Sequence, residues 1–318
     1  MITLQANAFL GALTNLIAYV ETLDLFELDK LELNKICKKN DVRFGSGKVI
    51  RSADIPSVTN MPTTSTLLSV VTPTVDEQYL PVTKMKTVQL TINEYLMRGA
   101  FLNEYELNDF VSELRKMMRA SKEAYIYSEL VALIDGYTPT NSEQTVSVKM
   151  FDTTGLLDPA QLQLAQTYNT NALIKAMNKV RIKMQTPYDK FNDKSFTELI
   201  SPSEMNMIIT DETYGDVLVD TFAKLFNSDK LKDVTKFGKV VEIPSDLLTT
   251  LGSTFIGYLA HKDKFQYGYV FEVATSFFDG STLNINNWLH FAYYIDIVNA
   301  CPCVKFVKDA SLTPTALQ

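Results

Sequence analysis

The sequence is short of the residues from which catalytic and metal sites are usually built. It has three cysteines and two histidines in 318 residues. Cys37, Cys301 and Cys303 are odd in number, and their spacing matches no zinc ribbon, redox pair or disulfide framework. The close pair Cys301 and Cys303 would still lack two ligands of a tetrahedral metal site. We therefore interpret the three thiols as packing residues, predict no metal, and expect a reducing compartment.

An excess of positive charge and long apolar runs are also missing. Thirty Lys and Arg residues stand against 37 Asp and Glu, for a net charge of -7. This balance argues against a sequence-reading DNA binder, although a protein can enclose nucleic acid without gripping it. No apolar run approaches the roughly 20 residues of a membrane helix. No Lys or Arg precedes Lys30, so the basic start of a signal peptide is lacking and we expect a soluble protein.

The motifs that suggest chemistry fail in detail. Gly45-Ser46-Gly47-Lys48 is similar to the end of a phosphate-binding loop, but Val42 and Val49 occupy the positions of its first Gly and its Ser or Thr. His261 and His290 have no metal or triad spacing, and we interpret them as a surface residue and a core imidazole. Because no set of nucleophile, base and orienting group is recognisable, we predict no enzyme and no cofactor.

Two patterns could contact nucleic acid, but each favours a simpler interpretation. Alternating aromatic residues at 265–271 share one face of a predicted strand and could stack bases. Only Lys262 and Lys264 lie near them, so we predict a packed sheet face. A predicted helix has a basic side, formed by Arg115, Lys116, Arg119 and Lys122. Glu113 and Glu123 flank that side, which favours a solvated face or an intersubunit contact.

The first half of the chain predicts an arm, a long hairpin and a long helix. An apolar stripe over residues 9–20 indicates a short amphipathic helix that needs a surface to lie against. The chain then reads as an extended excursion over 48–93, whose return limb alternates strictly at Val88, Leu90 and Ile92. A capping-box start at Asn103 and a stop at Gly136 predict a helix on the order of 45–50 Å long.

The second half predicts a mixed domain. Helical spacing from Leu173 to Met184 is followed by a strand at 205–210. A helix capped by Asp211 is expected to carry Val217, Leu218, Phe222 and Phe226. Strand patterns follow at 240–243, 255–260, 267–273 and 289–298. Helices in the middle and strands at the end predict an α+β fold rather than alternating βαβ units.

This order of elements resembles the HK97-like major capsid proteins of tailed bacteriophages. Residues 198–210, the helix ending at Asn227, and the strand and turn over 255–264 look like that family's axial domain. The resemblance implies five regions. They are an N-terminal arm (1–44), an extended β-hairpin or E-loop (45–94), a peripheral domain with a spine helix (95–155), an axial domain with interleaved peripheral strands (156–290), and a C-terminal strand and tail (291–318).

The resemblance also implies a function. Pentamers and hexamers would close into an icosahedral head that encloses double-stranded DNA, in a virion assembled in the bacterial host cytoplasm. The short arm predicts that any scaffolding protein is separate, alongside possible portal and decoration proteins. An encapsulin-like compartment shell and a phage tail or connector protein are the alternatives.

The hairpin gives a physical reason to expect self-assembly. A two-stranded ribbon of this length has too little core to offset the entropy of ordering it, so it must dock on something. Its uncharged tip suits a buried contact with a neighbouring subunit. The predicted contact residues are Met61, Leu67, Leu68, Val70 and Val71. The alternatives are a hairpin folded over its own domain and a flexible linker.

Overall fold

The computed structural model describes residues 37–43, 47–56, 58, 72–82, 84–93, 104–153, 158–211, 213 and 239–312. Most of the expected arm lies outside these residues. So do the five contact residues predicted for the hairpin tip and the helix expected to carry Val217, Leu218, Phe222 and Phe226. These expectations therefore stay predictions.

Two long helices and eleven strands are present in the described part of the chain. The helices are α1 (Glu104–Gly136) and α2 (Pro159–Met184). The strands are β1 (Lys38–Lys39), β2 (Lys48–Ala53), β3 (Val75–Leu80), β4 (Lys84–Asn93), β5 (Thr145–Phe151), β6 (Met205–Thr210), β7 (Lys239–Ile243), β8 (Phe255–His261), β9 (Phe265–Asp279), β10 (Asn284–Ile297) and β11 (Cys303–Leu312). The result is the mixed helix and sheet structure that the sequence predicts.

A five-stranded sheet forms the more deeply buried half of the fold. Its strand order is β5-β11-β8-β6-β7, and its central strands β6 and β8 are buried on both faces. Double burial explains why those strands read as continuous apolar runs without alternation. One face packs on α2 through Leu173, Met177, Val180 and Met184. The other packs against the C-terminal half of α1 and the start of β9, so the chain covers both faces itself.

A four-stranded sheet with the order β1-β9-β10-β4 forms the other half. Helix α1 lies on one face, where the ring of Tyr125 contacts those of Phe291 and Tyr293. Phe265, Tyr267 and Tyr269 are buried in the same core, which confirms the predicted packed face for these three residues. The prediction is wrong for Phe271, because a register shift after Tyr269 puts Phe271 opposite Ala292, on the other face of the sheet. With 33 residues, α1 is about 50 Å long and ends at Gly136 as predicted.

The pairing of β4 differs from the sequence expectation. The alternation at Val88, Leu90 and Ile92 suggested the return limb of the long hairpin, but β4 pairs antiparallel with β10 over its whole length. The hairpin itself consists of β2 and β3, with Lys48 opposite Leu80 and Ala53 opposite Val75. Alternation of apolar and polar residues indicates that one face of a strand is buried, but it does not indicate which strand pairs with it.

Candidate assembly surfaces

The root of the hairpin, which we define as its two-stranded part β2–β3, is fastened to its own chain. The side-chain amide of Gln78 donates from Nε2 to the carbonyl of Ile297 at 2.6 Å, and its Oε1 accepts from the amide of Asn299 at 2.9 Å. The Gln78 side chain thus makes the same donor and acceptor pair with this backbone that a residue of a neighbouring strand would make. Each of these bonds contributes about 0.5–1.5 kcal/mol.

Two carboxylates fasten the same root to the loop that follows α2. The amide of Thr197 donates to Asp54 Oδ1 at 2.8 Å. The Nζ atom of Lys194 lies 2.9 Å from Asp76 Oδ1. Leu80 is fully buried at the base of the hairpin, whereas Tyr79 is 59% exposed. The root is therefore held in place, and the hairpin presents apolar side chains away from the body.

A buried polar cluster lies behind this loop. The Nζ atom of Lys264, a side chain with no exposed surface, is 2.7 Å from Asp193 Oδ2 and donates to the carbonyl of Cys301 at 3.0 Å. Asp193 also accepts from Thr140 Oγ1 and Gln144 Nε2. Burial raises the pKa of Asp193, but the Lys264 ammonium and these hydrogen bonds outweigh it and hold that pKa below its ordinary value.

The pKa of Glu198 is shifted in the opposite direction to that of Asp193. Glu198 directly follows Thr197, whose amide contacts the hairpin root. Its Oε2 atom is buried without a hydrogen-bond partner in the structure. Burial raises the pKa of Glu198 to about 8, and the nearby Lys264 opposes that rise only in part. The loop that holds the hairpin root therefore contains a carboxyl that stays protonated near neutral pH.

The face of the four-stranded sheet opposite α1 is bare in the described structure. Strand registers place ten residues on the central part of this face: Met85, Thr87, Gln89, Thr91, Val273, Thr275, Phe277, Asn286, Trp288 and His290. Asp279 lies at its end, where it is hydrogen-bonded to Ser281 and Thr282. We call this set the uncharged sheet face, because it contains no Asp, Glu, Lys or Arg. Met85, Val273 and Phe277 are 69%, 47% and 62% exposed. An exposed apolar surface without charge is typical of a contact with another protein.

A groove of about 750 Å³ lies on the other side, between α1 and the β9–β10 hairpin. The buried side chains of Met118 and Leu289 line it, together with the longer basic side chains of Lys116 and Arg119. The expectation of a solvated or intersubunit basic face holds for Lys116 and Arg119, which are exposed, while the side chain of Arg115 lies outside the described structure. It is wrong for Lys122, which is buried and lies 2.7 Å from Glu272.

The cysteines and histidines pack into the structure in different ways. Cys37 and Cys303 are buried, and burial raises the pKa of the Cys301 and Cys303 thiols to about 12. No cluster of three or more potential metal ligands occurs within the described residues. His290 is half-buried on the uncharged sheet face, so its predicted core position is wrong, and the Thr87 and Thr275 hydroxyls lie at its two ring nitrogens. His261 is largely buried, so its predicted surface position is wrong, and burial lowers its pKa.

Sequence reasoning missed the contacts at the hairpin root and the buried cluster behind it. Gln78 and Ile297 are 219 residues apart, and no local pattern marks such a pair. Lys264 lies in a charged turn, a pattern typical of the surface, and only the distant Asp193 explains its burial.

Neither described helix is both long and apolar enough to cross a bilayer.

The fold is similar to structures from phage heads. It matches the capsid of Staphylococcus phage Andhra with a TM-score of 0.65 at 11% identity, covering 93% of this chain and 90% of that one. The head of Helicobacter pylori bacteriophage KHP40 gives 0.60 at 9% identity, covering 93% and 95%. The capsid of Cyanophage P-SCSP1u gives 0.58 at 9% identity, covering 94% of each chain. The fold is therefore one that phage capsids use.

Among phage capsid proteins, the sequence identifies the family of this chain. Residues 7–307 match the family of Phi29-like phage major capsid proteins, so the chain belongs to that family. No curated protein matches the sequence significantly. The chain is a structural protein of an icosahedral phage head, which is built from copies of it. Membership implies a structural rather than an enzymatic role, and the encapsulin-like alternative has no support.

Proposed function

We propose that the chain assembles in the HK97-like manner, with an arm, a hairpin, a peripheral domain, an axial domain and a C-terminal strand. Two bounds differ from the sequence prediction, because β4 belongs with the peripheral sheet rather than the hairpin and β5 with the axial sheet. The packing of α1 on the four-stranded sheet supports a peripheral domain with a spine helix. The packing of α2 on the five-stranded sheet supports an axial domain. β9 and β10 lie late in the chain yet pair beside β4, as interleaved peripheral strands would.

The hairpin tip contacts a neighbouring subunit in this proposal. The observation that carries it is the fastened root, because Gln78, Asp54 and Asp76 hold the hairpin on its own chain while Val75 and Tyr79 stay exposed. The contact residues are Met61, Leu67, Leu68, Val70 and Val71. The uncharged sheet face of the neighbour is the matching surface, because an uncharged tip can be buried there without stranding a charge.

The assembled head consists of pentamers and hexamers around double-stranded DNA. A net charge of -7 suits a wall that encloses DNA without gripping it. Many contacts of modest strength add up in such a shell through multivalency. Scaffolding, portal and decoration functions belong to separate proteins, and assembly takes place in the host cytoplasm.

Electron microscopy of the protein, alone and co-expressed with its phage's scaffold, tests this function. We expect closed shells with five-fold vertices. Rings or tubes would instead support a tail or connector role. A chain that stays monomeric at high concentration with every scaffold tested would overturn the proposal.

A further inference from the structure

Within the part of the chain that the structure describes, the outer edge of β9 is unpaired beyond its first residues. β10 pairs with the inner edge along the whole strand, whereas β1 covers the outer edge only opposite Gln266 and Tyr267. The amides of Asn40 and Val42 extend this cover to Tyr269. From Glu272 to Phe278, no strand within the described residues lies beside it. A row of backbone donors and acceptors is therefore open to another strand.

This edge lacks two of the features that normally protect an open strand. Exposed edges are usually protected by Lys, Pro or short length, and β9 has neither Lys nor Pro in its 15 residues. The opposite edge of the same sheet, β4, carries Lys84 and Lys86. The edge that lacks protection is also apolar, since Phe277 and Phe278 are 62% and 50% exposed.

The two acids on this edge are already engaged. Glu272 lies 2.7 Å from Lys122 Nζ, so its charge is paired. Asp279 accepts from the amide and hydroxyl of Ser281 and from the hydroxyl of Thr282, which closes the turn to β10. No unpaired charge therefore opposes the approach of a second strand.

We infer that residues 272–278 pair antiparallel with the same residues of a second copy, about a two-fold axis through Thr275. When two copies of one strand pair antiparallel along the same edge, the two-fold axis between them must be normal to the sheet. This axis keeps every side chain on its own face, so the two residues of each pair lie on the same face of the joined sheet. With the axis at Thr275, Val273 faces Phe277 of the second copy twice, an apolar pair of the kind that stabilises sheets. Moving the axis to Ser276 would set Phe277 opposite Thr275 instead.

The symmetry of this pairing suits a shell wall. An axis normal to the sheet keeps both α1 helices on one side, so the two copies have the same inside and outside. Seven residues a side make a small interface, which adds strength only when it is repeated around a shell. The inference thus rests on the proposed assembly into shells.

Disulfide trapping in assembled particles tests the register. Thr275→Cys places two thiols opposite each other, so mild oxidation should give a dimer of the chain on a non-reducing gel. Val273→Cys is the matched control. Its two copies would lie four residues apart along the strands, roughly 13 Å, and should not cross-link beyond the wild-type background. The double variant V273C/F277C should cross-link again.

The outcomes separate this inference from the shell itself. Particles in which T275C and V273C give the same yield of dimer overturn the edge pairing and leave the shell intact. As a second measurement, Phe277→Lys should sharply lower the yield of particles from folded protein, while Phe277→Leu should retain it. Unchanged assembly of F277K would also overturn the pairing.

Discussion

The two large sheets of this protein, with five and four strands, are covered in different ways. The five-stranded sheet has α2 on one face and α1 with the start of β9 on the other, so its own chain buries it. The four-stranded sheet has α1 on one face, whereas no described residue covers its uncharged sheet face or the outer edge of β9 at 272–278. The first holds a subunit together, and the second provides surface for joining subunits. Mutations in the two sheets should therefore have different effects.

The largest expected effect is on assembly and leaves the folded body intact. Deleting residues 55–75 removes the hairpin tip and the first residue of β3, but it leaves both large sheets intact. We expect a folded subunit that forms no particles, because the proposed contact with the neighbour is lost. Circular dichroism should show the native spectrum, and electron microscopy should show no shells. Normal particles from this variant would contradict the docking role of the hairpin.

A single charge in the tip should act in the same direction more mildly. Val70→Asp, or the same change at Val71, would bury a carboxylate without a partner, which costs several kcal/mol per contact unless the chain moves. We expect a reduced yield of particles and unchanged subunit stability. Val70→Thr is the matched control of similar volume and should assemble nearly as well. Equal yields for the aspartate and threonine variants would show that the tip is not buried.

A cavity in the self-covered sheet should destabilise the subunit itself. Phe306 is fully buried on β11, and Phe306→Ala should lower the free energy of unfolding by about 3–5 kcal/mol. Phe277→Ala removes the same atoms from the open sheet and should cost the free subunit less than about 1 kcal/mol. Urea denaturation of the two variants measures the difference. Similar losses would mean that the sheets do not differ as described.

The smallest effect concerns Glu198, where the hairpin root meets the body. Burial raises its pKa from an ordinary value of 4.5 to about 8, so the folded protein holds a proton that the unfolded chain has lost. Stability should therefore fall as pH rises between these values. Glu198→Gln stays neutral and should raise the melting temperature by a few degrees at pH 8 with little change at pH 4.5. A variant with the wild-type pH dependence would show that Glu198 is not the titrating group.

Local features of this fold could be predicted from the sequence because their signals are local. The end of α1 at Gly136 and the strand Met205–Thr210 follow from a stop residue and an apolar run. The packed face of β9 follows from alternation and the scarcity of nearby cations. Each of these depends on residues within a single element.

Features that depend on distant partners could not be predicted. β4 alternates as a half-buried strand does, but its partner β10 lies about 200 residues away. Gln78 looks like any polar strand residue until Ile297 and Asn299 are brought beside it. Lys264 reads as a surface cation because Asp193, which allows its burial, is 71 residues distant. Side-chain contacts between residues so far apart in the chain do not affect the spacing of apolar residues within an element, so that spacing cannot predict them.

Hydrogen exchange, compared between free subunits and assembled particles, tests the difference between the two sheets most directly. We predict that protection of backbone amides rises on assembly in residues 59–71, in the open part of β9 and along the uncharged sheet face. The amides of β6 and β8 should be equally protected in both states, because their own chain already covers them. Gains confined to the five-stranded sheet, or none at β9 and the hairpin, would contradict the account.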